Sequence, residues 1–222
     1  MIPGIKAFPI TRYEWPIVSL TTYTTPTITL PSVQANDIAV LLDAVGSGGS
    51  STPSTVVAAG FTSLADSTHS VATFRMRMIA SYKKCVGNEG GTNVTGMNGT
   101  TNDGKILLVF RPPLTTVTTG SWIGNVDGGG QNPPAQTISA AGVSGHVLAL
   151  AWKCNFGAGG TTGFTVETPP FQEHYNFDDV ASQTIFHSVG WSFHYNDAVD
   201  YLYDTDAGVN ANGLVGGYIK VS

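Results

Sequence analysis

The chain has 222 residues, of which 41% are hydrophobic and only 11% charged, with a formal net charge of −5. A chain this long can fold as one β-sandwich or barrel and bury roughly 70% of the surface its unfolded form exposes, without help from a metal or a disulfide. The ten Lys and Arg are too scattered to neutralise a run of phosphates, and neither a signal-like leader nor an uninterrupted apolar stretch of about 18 residues occurs, so the expectation is a protein that does not bind nucleic acid, is not exported by the Sec route and does not span a membrane.

Along the chain, Pro3, Pro9 and Pro16 interrupt apolar Ile2, Ile5, Phe8 and Ile10, which rules out a helix or a central strand there. Residues 1–16 therefore read as an extended N-terminal arm, packed along its own domain or reaching a neighbouring subunit. From residue 17 short apolar or alternating runs are separated by Gly, Pro, Asn and Ser clusters, the pattern of an antiparallel sandwich. Strands are predicted at 17–23, 27–30, 37–45, 72–85, 105–111, 121–126, 136–140, 146–155, 164–167, 184–195, 199–203 and 214–221. In the fourth, Phe74, Met76, Met78, Ala80 and Tyr82 share one face and Arg75, Arg77, Ser81 and Lys83 the other. Ile106–Phe110 and Val147–Trp152 are continuous apolar runs and are predicted to be central strands covered on both faces. In the tenth strand Ile185, His187, Val189, Trp191, Phe193 and Tyr195 form the core face. The fold class expected is all-β: a single-domain, antiparallel, jelly-roll-like β-sandwich over residues 17–222.

A search for chemistry finds little. Gly142-Val143-Ser144-Gly145-His146 is a turn rather than a nucleophile elbow, and the five histidines lie far apart in strands and loops, with His187 read as a hydrogen-bonded core residue. Glu167, Glu173, Asp178 and Asp179 could converge across a groove as paired carboxylates for glycan hydrolysis, though the sequence fixes no such distance and Glu173–Asp179 also reads as an ordinary solvated loop. Asp200, Asp204 and Asp206 stand in an Asx- and Gly-rich stretch that offers hard oxygens to calcium or, as the plainer reading, simply connects two strands. No metal, no cofactor and no enzymatic activity are expected, and Cys85 and Cys154 are expected to stay reduced.

Several blocks carry a resemblance: Asn36–Ala44, Gly60–Thr62, Ser81–Gly91, Lys105–Pro112 and Gly217–Val221 are similar to small jelly-roll-like virion proteins of tailed bacteriophages. The resemblance implies a head decoration (cement) or tail-associated protein, assembled in the host bacterial cytoplasm and carried in the virion. Its implied partners are the major capsid or tail proteins and copies of itself, in a closed homo-oligomer such as a trimer. Ile2, Ile5, Phe8, Ile10 and Trp15 are the candidate interface residues. The competing reading is a carbohydrate-binding jelly roll, whose exposed rings would stack on host surface glycans.

Overall fold

The computed structural model describes residues 14–49, 51–71, 74–95, 97, 103–124, 134–156, 164, 166–178, 185–204 and 211–222. Among them there is no helix. The first half of the chain supplies β1 (Ile17–Tyr23), β2 (Ile28–Thr29), β3 (Ala35–Ser47), β4 (Thr62–Val71), β5 (Phe74–Val86), β6 (Asn93–Val94) and β7 (Asp103–Phe110). The second half supplies β8 (Val117–Thr119), β9 (Ile123–Gly124), β10 (Gln136–Ile138), β11 (His146–Phe156), β12 (Glu167–Thr168), β13 (Glu173–Asp178), β14 (Ile185–Tyr195), β15 (Tyr201–Tyr203) and β16 (Ala211–Val221).

These strands form two large antiparallel sheets, one in the order β1-β7-β3-β5-β4 and the other β13-β14-β11-β16-β8, with β9 also on β16. The chain completes the first sheet before it begins the second. Between them lies the main core, where even-numbered residues of β3, β5 and β7 (Val40, Leu42, Met76, Met78, Ile106, Leu108, Phe110) meet Leu148, Leu150, Trp152, Val189, Trp191 and Ile219. The period of two dictates that odd-numbered residues face outward, yet many of these are apolar too.

Two small sheets resolve that surplus. The β2–β6 pair and its loops cover the outer face of the first sheet, burying Ile28, Leu30 and Val94 with Ala39, Leu41, Leu107 and Val109. The three-stranded sheet β10-β15-β12 covers the second sheet, burying Ile138, Tyr201 and Tyr203 with Val147, Ala149, Ala151 and Leu214. The predicted central strands β7 and β11 are accordingly buried on both faces. Each apolar residue of Ile106–Phe110 that leaves water contributes about 25 cal/mol per Å² of apolar area, which is why this part of β7 is apolar throughout.

The sequence reading missed β4 and β13, and Glu173–Asp178 is an edge strand rather than a solvated loop. Both strands are rich in Ser, Thr, Asp, His or Asn, and both lie toward the sheet margins, where one polar edge costs little. The expected wet face of β5 is only partly wet, because Ile79 and Ser81 are buried there.

Candidate functional site

The β3–β7 pair joins two of the blocks singled out in the sequence and is clamped by ion pairs at two points along its length. At one end Asn36 adopts φ 73°, a bulge interrupts the β3–β5 register, and Asp37 accepts the Gln34 N–H at 2.7 Å. The same carboxylate receives Arg111 in two hydrogen bonds, from Nε at 2.9 Å and Nη2 at 3.0 Å. Paired, forked geometry of this kind fixes register as well as adding energy.

Further along, Asp43 of β3 stands directly opposite Lys105 of β7, and Asp103 lies two residues before Lys105 on the same face. All three side chains are sealed, with Lys105 0% exposed. Lys105 Nζ contacts Asp103 Oδ1 and stands 3.3 Å from Asp43 Oδ1. Thr55, from the segment between β3 and β4, donates its hydroxyl to Asp43 Oδ2 at 2.9 Å. Burial pushes the Asp43 carboxyl above the ordinary carboxylate range, while the Lys105 charge, the Thr55 hydroxyl and Asp103 oppose that rise. Two carboxylates and one lysine in a dry interior favour a state in which one carboxyl keeps its proton. The sequence did carry a signal for this cluster: Asp43 and Lys105 are the charged residues inside or at the start of otherwise apolar runs.

On the inner face His187 is the hydrogen-bonded core residue expected from sequence. Its Nδ1 accepts the Trp152 Nε1–H at 3.1 Å, the two rings stack at 7°, and burial lowers its pKa to about 3. A Cβ on Gly104 would overlap its Nε2, so glycine at this point of β7 makes room for the ring.

A Ser-His-Asp arrangement also occurs. Ser192 Oγ lies 3.1 Å from His194 Nε2, and His194 Nδ1 lies 3.3 Å from Asp197 Oδ1. The Tyr201 hydroxyl contacts the same Nε2, however, and Ser192 is 1% exposed beneath the outer sheet. A nucleophile must meet its substrate, so this set works as a polar staple between β14 and β15.

The remaining candidates separate. Asp200 accepts the Ala141 N–H at 2.8 Å, the Asp204 N–H donates to Val166 O at 3.2 Å, and Asp206 lies outside the described residues. Among the described residues no group of three or more His, Cys, Asp or Glu is placed to hold a metal. Glu167 and Glu173 belong to different sheets, Glu167 accepting the Phe171 N–H at 3.2 Å. Cys85 is buried on the outer face of the first sheet and Cys154 in the inter-sheet core, both as free thiols.

Ile2, Ile5, Phe8 and Ile10 also lie outside the described residues. Trp15, expected at an interface, is a core residue: it is 1% exposed and packs on Phe193 at a ring distance of 5.8 Å. It helps to line a cleft of about 420 Å³ with Glu14, Pro16, Ile17, Glu173 and Phe193, on the side of the sandwich where β1 and β13 are the outer strands. Buried Trp15 and Tyr203 present no ring face on which a sugar could stack. Comparison with family models, with curated proteins and with solved structures finds no match to the chain.

Proposed function

We propose that the chain is a non-enzymatic structural component of a bacteriophage particle, a capsid decoration or tail protein that works by packing against copies of itself and against major capsid or tail proteins. The observation that carries this reading is the outer edge of β1. Among the described residues no strand pairs with that edge, and from Ser19 to Tyr23 it carries neither charge nor proline. Monomeric sheet proteins protect such edges with lysines, prolines or covering segments, because exposed N–H and C=O groups recruit another strand. The edge also begins where the apolar arm joins the fold, so strand pairing and arm burial can act on one neighbour.

Charge supports the same reading. Arg77 is paired with Asp66, Lys83 with Glu89 and Arg111 with Asp37, while Lys84 is bonded to the Thr115 carbonyl. Such a surface favours close packing over attraction to polyanions. Particles purified from a lysate should contain the chain in fixed stoichiometry, and gold-labelled antibodies against it should mark the head or the tail. A chain recovered only from the soluble fraction, with unlabelled particles, would contradict the proposal.

A further inference from the structure

The Asp43–Lys105–Asp103 cluster contains the parts of a condensation reaction. An amine attacks a carboxyl carbon when the amine is unprotonated, the carboxyl is neutral, a neighbour can move protons, and water is absent. Each requirement has a residue. Asp103 also contacts Nζ, from the same strand, and can take its proton. Asp43 is the carboxyl that burial keeps toward its protonated form. Its Oδ2 accepts the Thr55 hydroxyl, a donor placed to stabilise negative charge on that oxygen during attack, and its Oδ1 faces Lys105 Nζ at 3.3 Å. Lys105 and Asp43 face each other on adjacent strands whose register is locked by Asp37 and Arg111, so the reacting groups are held together for the lifetime of the fold.

We propose that, once the chain has folded, Lys105 and Asp43 become joined by an isopeptide bond between Nζ and Cγ, with Asp103 as the proton shuttle. Lys105 passes its ammonium proton to Asp103, and the Nζ lone pair attacks Cγ of protonated Asp43. Asp103 then gives its proton to the Asp43 hydroxyl as the Cγ–O bond breaks, and takes back a proton from nitrogen. The products are a neutral amide, one water molecule and protonated Asp103, with no oxidant or cofactor consumed. The bond would tie β3 to β7 in the centre of the first sheet, and it stands independently of the assembly reading.

The test is the mass of the purified full chain, measured under denaturing conditions. The proposal expects a mass lower than that of the sequence by one water molecule, with fragmentation placing the loss in a linked pair of peptides containing Asp43 and Lys105. Lys105→Met should restore the full mass, and Asp103→Asn, which keeps shape but removes the shuttle, should leave most of the chain unlinked. If a variant fails to fold, the wild-type spectrum still decides. A wild-type chain of full mass, or a water loss mapped to another pair such as Asp103 and Lys105, would overturn the proposal, and an Asp103→Asn chain linked as fully as wild type would remove Asp103 from the mechanism.

Discussion

His69 is 0% exposed, neither ring nitrogen has a hydrogen-bond partner among the described residues, and burial lowers its pKa to about 4. It fits because Gly213 on β16 has no side chain at the point where the ring rests. Since the folded pKa lies below the ordinary 6.5, the unfolded chain binds the proton first, so the histidine's contribution is intact above pH 6.5 and lost as pH falls toward 4. The full loss from this one residue is on the order of 3 kcal/mol. Urea titrations at a series of pH values should show His69→Leu to be at least as stable as wild type at pH 7, with a shallower decline between pH 6.5 and 4. An unchanged acid slope would mean that His69 is not the group titrating. The thiols make a second case: burial raises Cys154 well above its usual range and, with Glu89 and Asp37 nearby, raises Cys85 to about 11. A thiol reagent at pH 8 should leave both unmodified in the native protein and label both after unfolding. Rapid labelling of native protein would show that one of the two covers opens.

At the level of elements, what could be read from the sequence followed burial. β1, β3, β7, β11, β14 and β16 carry long apolar or alternating patterns, and their predicted extents lie within a few residues of the observed ones. β4 was illegible because its inward residues Ser67 and His69 are polar and are accommodated by Gly124 of β9 and Gly213 of β16 on the second sheet. That is complementarity between distant segments, which no local period reveals. In the buried ion cluster the charges stand out in their apolar runs, but their pairing was not legible for a related reason: Asp43 and Lys105 are 62 positions apart, and their meeting depends on a register that the sequence does not state. Trp15 marks the place where an expectation and the structure part, since its ring closes the core beside Phe193 while the proline-interrupted sequence around it looked like an arm. Trp15→Ala should destabilise the fold by about 3–5 kcal/mol, read as a lower urea midpoint with little change in slope. A loss below about 1 kcal/mol would return Trp15 to the arm, since surface substitutions seldom exceed that size.

For the whole molecule, the described residues form four stacked layers in which each large sheet is covered on its outer face by a small one, so under the proposed reading assembly would work through strand edges and the N-terminal residues rather than through a broad sheet face. Ile17 at the start of β1 is 39% exposed, next to the cleft that Trp15 floors, and residues 1–13 join the fold at that point. Burying arm residues such as Ile5 or Phe8 on a neighbour would contribute about 1.5–3 kcal/mol each, enough in combination to hold a closed oligomer. The most direct measurement is the solution mass by light scattering of the full chain and of a chain lacking residues 2–13, which retains Trp15. The account predicts a discrete closed oligomer for the full chain and a folded, strand-rich monomer for the shortened one. A full chain that stays monomeric at high concentration, or a shortened chain that assembles as well as the full one, would contradict it.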